Sequence, residues 1–324
     1  MSQTLKLEAA AGSTKMVIVG AGSVGTTTAY ALLLSGLAAD IVLIDINQAR
    51  VEGEVADLGH AAHFTHTRVR SGTYADCAGA TAVIITAGAN QKPGQTRPQL
   101  VAANHALFAS IIPPIAAASS PDTILVVATN PADVLTHAAV RLSGFPPYRV
   151  IGTGTALDTT RLRRELGAHF GISPRSVHAF VVGEHGDSQL PAWSLANICG
   201  MRLPEYCRQA GRAHDEAEME ACAKRTRDAA YTIIERKGKT NYGIASVIVA
   251  ILEPIVKNAD AIMTVSQVGT YAGVEDVALS MPCKINRRGA FQEVPLPLDE
   301  RETELLRRSA ESIRAMIMSV AAPE

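Results

Sequence analysis

Apolar residues fall along this chain in two rhythms. Short β-branched runs bounded by polar turns read as buried strands at Lys15–Val19, Asp40–Ile44, Thr81–Ile85 and Thr123–Val127. Longer stretches with helical spacing separate them. A helical run reaches Leu34, Glu52 to His60 is helical, and a helix runs from Pro98 to Ser119. Val150-Ile151-Gly152 opens the second half, where helices are expected over Thr155–Leu166, about Asp215–Lys237 and Ile244–Val256. Strands near Ala261–Val268, Val277–Pro282 and Phe291–Val294 suggest a more antiparallel sheet, closed by an amphipathic helix from about Asp299 to Ala321. Strand–helix alternation followed by antiparallel strands reads as α/β: a Rossmann-type doubly wound parallel sheet followed by an α+β domain with a mainly antiparallel sheet. The expected division is an N-terminal arm, 1–13, a first domain, 14–152, and a second, 153–324.

The first strand runs into Gly20-Ala21-Gly22-Ser23-Val24-Gly25, and the second ends at Asp45, twenty residues after Gly25. Strand, G-x-G-x-x-G, helix, strand and acid in that order form a dinucleotide fingerprint. The glycines let backbone approach a pyrophosphate at the helix N-terminus. Asp45 suits ribose hydroxyls and repels a 2′-phosphate, which favours NAD over NADP. The bland alternative is a glycine-rich turn in an α/β protein.

The stretch Val181-Val182-Gly183-Glu184-His185-Gly186-Asp187-Ser188 ends an apolar run in a polar turn with one His between glycines. Imidazole exchanges protons near neutral pH, so His185 is a candidate acid/base, although a His in a turn is more often structural. Asp158 and Arg161, three apart, share a helix face, as a surface ion pair or as a working set. In the second reading Asp158 orients His185 and Arg161 clamps a carboxylate. Arg163, five beyond Asp158, points elsewhere. The polar loop Asn90–Arg97 has lid character, and Arg97 suits stabilising charge on a carbonyl oxygen. Pro98 biases Arg97 toward extended backbone. Asn130 either bonds a ligand or caps the next helix, and Thr240 is a candidate substrate wall. His60, His63 and His66 lack a helical i, i+4 pair, and a solvated helix end is the better reading than a metal site.

Composition narrows the classes. A net charge of −1 argues against broad nucleic-acid or anionic-membrane binding. Aromatics at 4% against 47% hydrophobic residues imply an aliphatic core. Five cysteines without a C-x-x-C pair suit free thiols in a reducing cytoplasm. No uninterrupted apolar stretch of membrane-spanning length stands out.

Together GAGSVG, TAGANQKPGQTR, ATNP, LDTTRLR, GEHGDSQLPAWS and KGKTNYGIA resemble the L-lactate and malate dehydrogenase family over nearly the whole chain after residue 13. The resemblance implies His185 as acid/base with Asp158 as partner, Arg97 polarising the carbonyl, Arg161 holding the carboxylate, and Asn130 and Thr240 lining the pocket. For NAD it implies Val24, Asp45, Arg50, Tyr74, Gly88, Ala89, Ser110, Asn130 and Thr153, with Ile244 against the nicotinamide. It further implies that Gln91 faces the methyl of pyruvate, where malate dehydrogenases carry Arg, and so the lactate branch. Arg97-Pro98-Gln99 departs from the family's usual Leu-Asp after the Arg, which bears on lid motion. Arg163 and His178 match positions that bind fructose 1,6-bisphosphate in allosteric bacterial members, and a homotetramer is the expected assembly. The rivals are a lactate-like malate dehydrogenase or broader 2-hydroxy acid enzyme and, in a different class, a catalytically silent NAD-sensing protein.

Overall fold

The computed structural model describes residues 14–89, 97–292 and 294–321, with the main chain alone at Arg97 and Ala321. In chain order the first half reads β1 (Lys15–Val19), α1 (Ser23–Ser35), β2 (Asp40–Ile44), α2 (Gln48–Ala62), β3 (Arg68–Ser71) and β4 (Ala82–Ile85). There follow α3 (Arg97–Ala118), β5 (Ile124–Val127), α4 (Ala132–Ser143) and β6 (Val150–Gly152). These six strands lie parallel in the order β3-β2-β1-β4-β5-β6. Met16 to Ile18 and Val83 to Ile85 are fully buried, because helices cover both faces of the sheet and a strand between them must be apolar on both sides.

The second half continues with α5 (Ala156–Phe170), β7 (Val177–His178), β8 (Val181–Val182), β9 (Leu190–Pro191), β10 (Asn197–Ile198) and β11 (Met201–Arg202). Then come α6 (Leu203–Gln209), α7 (Glu216–Lys237), α8 (Tyr242–Lys257), β12 (Ala261–Tyr271), β13 (Val274–Asn286), β14 (Gly289–Phe291) and α9 (Glu300–Ala321). The strands β12 and β13 cover the first two expected antiparallel strands, and the third, β14, lies at Gly289–Phe291 and not at Phe291–Val294. They extend the parallel sheet, β12 meeting β6 at Ser266 and Gly152, so one nine-stranded sheet runs through both halves. A Cβ on Gly152 would lie 2.8 Å from the Cβ of Ser266 and 2.2 Å from the Thr136 hydroxyl, so the junction needs the bare backbone.

The run leading to His185 is not one strand. It breaks at Ala179-Phe180 into β7, paired with β10, and β8, paired with β9, in two separate small sheets. Alternation predicts extended backbone but not the partner strand, which is set by tertiary packing.

Two features fix the frame around the site. Ala29, Leu32 and Leu33 of α1 share one buried cluster with Ile248, Ile251, Leu252 and Ile255 of α8, which welds the second half onto the first helix. Truncating a side chain such as Leu252 to Ala there costs about 2–5 kcal/mol. The second feature is α3, whose Val101, Phe108, Ile112 and Ile115 are buried. By length and composition alone α3 could cross a membrane, with Asn104 and His105 interrupting its apolar run. Its helix begins at Arg97, against the extended backbone expected there. Pro98 then falls in the first turn, where a missing N–H leaves no bond unmade. All five cysteines are free thiols, with Cys199 alone exposed.

Candidate active site

His185 follows β8 through a turn held from three sides. Gly183 has φ +87° and exchanges backbone hydrogen bonds with Ser280 of β13. A Cβ there would stand 2.9 Å from the hydroxyl of Ser309 on α9, and that hydroxyl accepts the next N–H, of Glu184, at 2.9 Å. The N–H of His185 donates to Asp133 Oδ2 at 2.7 Å, and Ser266 Oγ of β12 donates to Asp133 Oδ1 at 2.6 Å. Strand, helix and carboxylate thus fix the backbone before the ring is considered.

The ring is oriented separately, from α5. His185 Nδ1 lies 2.5 Å from Asp158 Oδ2, and Arg161 Nη1 donates to Asp158 Oδ1 at 3.0 Å. The Asp158 carboxylate accepts both bonds, so Nδ1 carries a proton and Nε2 is the nitrogen left for exchange. Asp158 is only 2% exposed. Burial works to raise its pKa, yet the charges and hydrogen bonds of His185 and Arg161 hold it below the usual carboxylate range. For His185 burial opposes the imidazolium, and Asp158, with help from Asp133, more than offsets it and raises the pKa. Asp133 lacks such compensation: burial pushes its carboxyl up to about 6 despite Ser266 and the His185 amide.

The glycine loop has the shape a dinucleotide needs. Gly20 sits at φ +109°, and a Cβ on Gly25 would lie 1.9 Å from the Gly20 carbonyl oxygen. Gly22 caps α1 without a side-chain bond, and no acid occupies the helix's first turn, so its amides and positive end are available to an anion. The carboxylate of Asp45, just after β2, is fixed by the N–H groups of Ala21, at 2.7 Å, and Asn47, at 3.0 Å, one to each oxygen. Tyr74 lies within electrostatic range of Asp45, and its phenol is raised by burial first, then by Cys77 and Asp45. These features fit NAD.

The remaining expected residues fall in several places. Gly88 packs against the Thr129 methyl, and the N–H of Ala89 donates to Asn104 Oδ1 at 2.7 Å. Asn104 Nδ2 donates to the carbonyl of Asn130 at 2.8 Å. Asn130 does not cap α4: Pro131 is the capping residue and no side chain bonds there, which leaves the ligand alternative for its exposed amide. Thr153 is buried, and Val24 and Ile244 pack against the core shared by α1 and α8. Thr240 is half-buried just before Asn241, whose Nδ2 donates to Thr27 of α1 at 2.9 Å. Arg50 is exposed beside Glu54, and the Ser110 hydroxyl turns back to the Leu107 carbonyl. Gln91 and the Arg97 side chain lie outside what the structure describes. Arg163 does not join the Asp158–Arg161 pair: its Nε donates to the carbonyl of Ala179 at 3.0 Å, next to the exposed His178. Among the described residues no three His, Cys, Asp or Glu side chains gather as a metal site, and His60, His63 and His66 do not converge.

Asp133 and Asn104 escaped the sequence reading. Asp133 looks like a favourable acid in a helix's first turn, and Asn104 like a polar residue on a helix surface. The sole signal is a polar residue within an apolar stretch, flanked on both sides in Ala132-Asp133-Val134 and on one side in Ala103-Asn104, and it does not say which backbone each will hold.

Comparison with known proteins agrees with this arrangement. The family described as lactate/malate dehydrogenase, NAD binding domain, matches residues 14–152, and its alpha/beta C-terminal domain matches 155–323. A probable L-lactate dehydrogenase of Schizosaccharomyces pombe is 49% identical, over 95% of this chain and 93% of its own length. The L-lactate dehydrogenase of Acetivibrio thermocellus is 44% identical, over 94% and 97% respectively. The crystal structure of minor L-lactate dehydrogenase from Enterococcus mundtii, in a ligand-bound form, superposes with a TM-score of 0.91 at 40% identity, covering 96% of this chain and 99% of that one. A parallel sheet with a glycine cradle at its carboxyl edge, and a His–Asp–Arg chain brought beside it by α5, therefore have a family: this chain belongs to the lactate/malate dehydrogenases, and NAD is its cofactor.

Proposed function

We infer that this chain is an NAD-dependent oxidoreductase that interconverts pyruvate and L-lactate. The observation that carries the reading is the buried chain from His185 Nδ1 through Asp158 to Arg161, beside a dinucleotide-binding sheet. Bound NADH supplies the hydride for pyruvate reduction, and NAD accepts it in the reverse direction. His185 gives its proton from Nε2 to the substrate oxygen during reduction and takes it back during oxidation. Asp158 stabilises the imidazolium and fixes its tautomer. Arg161 has one nitrogen on Asp158 and further N–H donors for the substrate carboxylate. Arg97 polarises the carbonyl, Asn130 and Thr240 line the pocket, and Gln91 faces the substrate methyl. The glycines Gly20, Gly22 and Gly25, with Val24, Asp45, Arg50, Tyr74, Gly88, Ala89, Ser110, Thr153 and Ile244, receive the cofactor.

In the same reading the chain divides at residue 152, works in the cytoplasm as a homotetramer, and takes fructose 1,6-bisphosphate at Arg163 and His178. What supports the effector site is that Arg163 reaches the residue after His178 from another element. The test of function is NADH oxidation followed with pyruvate and then oxaloacetate. A higher kcat/KM for pyruvate supports the lactate branch, and a preference for oxaloacetate overturns it. NADH binding without turnover of either acid would leave the silent NAD-sensing alternative.

A further inference from the structure

The loop between α7 and α8 reaches back to the first helix of the dinucleotide half. Of the two lysines in Lys237-Gly238-Lys239, one is committed locally. Lys237 Nζ donates to Asn241 Oδ1 at 2.7 Å and sits 3.8 Å from the centre of the Tyr242 ring. Lys239 instead crosses 216 residues of sequence and donates to Ser23 Oγ at 2.9 Å. Ser23 is the first residue of α1, inside the glycine loop itself. The neighbouring Asn241–Thr27 hydrogen bond pins the same loop one turn further along, so the approach of Lys239 is fixed by two contacts. Gly238, at φ +82°, ends α7 and lets the chain turn toward α1.

The setting of that ammonium group is specific. No acid stands in the first turn of α1, no side chain caps it, and among the described residues Lys239 has no ion-pair partner. An ammonium has three N–H donors, and Ser23 accepts one. The glycines already bring bare backbone to this point, and helix amides supply partial positive charge only. A full charge held over the same first turn adds what those amides lack for a diphosphate.

We propose that Lys239 is a cofactor-binding residue whose ammonium group, held against Ser23 at the start of α1, pairs with the pyrophosphate of NAD. The inference rests on the dinucleotide reading of the glycine loop and adds a cation supplied by the second half of the chain. It also gives the α7–α8 loop a function beyond carrying Thr240: loading of the first half is felt by a segment of the second.

The experiment is direct binding to the full chain. NADH binding is followed by nicotinamide fluorescence, and ADP and adenosine are followed by calorimetry, for the unsubstituted protein, Lys239→Ala and Lys239→Arg. ADP carries the diphosphate and adenosine carries none. Lys239→Ala is expected to weaken NADH and ADP by about tenfold, as loss of one charge-assisted contact does, and to leave adenosine unchanged. Its NADH affinity should also fall less steeply with salt, because one screened contact has gone. Lys239→Arg should restore most of the loss, and thermal unfolding midpoints should agree among the three. Equal NADH and ADP affinities in Lys239→Ala and the unsubstituted protein overturn the proposal. So does an equal loss for adenosine, which would make Lys239 a structural tie between the halves. An unsubstituted protein that binds neither NADH nor ADP brings down the dinucleotide reading and this inference together, an outcome distinct from the other two.

Discussion

Asp133 and His185 are joined through backbone, not through the ring: the His185 N–H donates to Asp133 Oδ2 at 2.7 Å, while the imidazole is held by a different carboxylate. The backbone and the ring of His185 are thereby held by separate carboxylates on separate helices. Asp133→Asn keeps the shape but loses the charge: its Oδ1 can still accept the His185 amide, and the Ser266 hydroxyl must turn to accept from Nδ2. The expected result is a fall in kcat for pyruvate of about tenfold, the difference between a charge-assisted and a neutral hydrogen bond at the His185 amide. The Asp133 charge also helps to raise the pKa of His185, so the alkaline limb of the reduction profile should move to lower pH. An unchanged limb with an unchanged kcat would make Asp133 a packing residue.

Asp158→Asn tests the other carboxylate. His185 has its pKa raised in the folded protein, against burial, chiefly by Asp158. A raised histidine stays protonated to higher pH, so pyruvate reduction should persist above the ordinary imidazole range and lactate oxidation should gain as pH passes the raised value. The same shift stabilises the fold below the ordinary pKa, and that contribution disappears as pH rises through the folded value. Removing the Asp158 charge lowers the His185 pKa and leaves less imidazolium to give a proton. A loss in kcat on the order of 10⁴-fold is expected by analogy with His–Asp sites elsewhere. Steady-state rates at saturating pyruvate and NADH across pH check both parts, and a rate near that of the unsubstituted protein would exclude the proposed role.

The glycine loop offers a prediction about binding alone. A Cβ at residue 25 would stand 1.9 Å from the Gly20 carbonyl, so Gly25→Ala must push α1 away from the loop. NADH affinity should fall by at least about tenfold, since the pyrophosphate depends on that close approach. Fluorescence titration measures it, and full affinity in Gly25→Ala would mean the loop is looser than its geometry indicates.

The parts most legible in sequence were those encoded locally. The apolar strands β1, β2, β4 and β5, the glycine fingerprint and the i, i+3 pair Asp158–Arg161 need only periodicity and spacing, and each lies within a residue of where those rules put it, whereas β3, Arg68-Val69-Arg70-Ser71, has no apolar run to mark it and was missed. Contacts set by the fold were not legible. That β12 joins β6 depends on Gly152 meeting Ser266, and no local pattern distinguishes an added edge from a separate sheet. Asp133 reads as a helix-start acid until β12 and the His185 turn close over it. The break between β7 and β8 is likewise invisible in an apolar run, because it depends on which partner each half finds.

The last prediction concerns regulation. Arg163 is partly buried, and burial lowers its pKa while its Nε is bonded to the Ala179 carbonyl. That bond occupies one face of the guanidinium and leaves other N–H donors for a phosphate. Beside the exposed His178, and with symmetry-related copies in an oligomer, such groups would gather positive charge that repels itself when empty and is relieved by a phosphate dianion. An effector acts only by binding the active assembly more tightly than the inactive one. Fructose 1,6-bisphosphate should therefore lower the apparent KM for pyruvate and favour tetramers. Arg163→Gln should abolish the response and leave maximal activity largely intact, since Arg163 does not join the Asp158–Arg161 pair. Pyruvate saturation curves and sedimentation, each with and without millimolar effector, provide the check. Indifference of the unsubstituted enzyme in both measurements would return Arg163 to the role its geometry already gives it, a tie between α5 and the chain leading to β8.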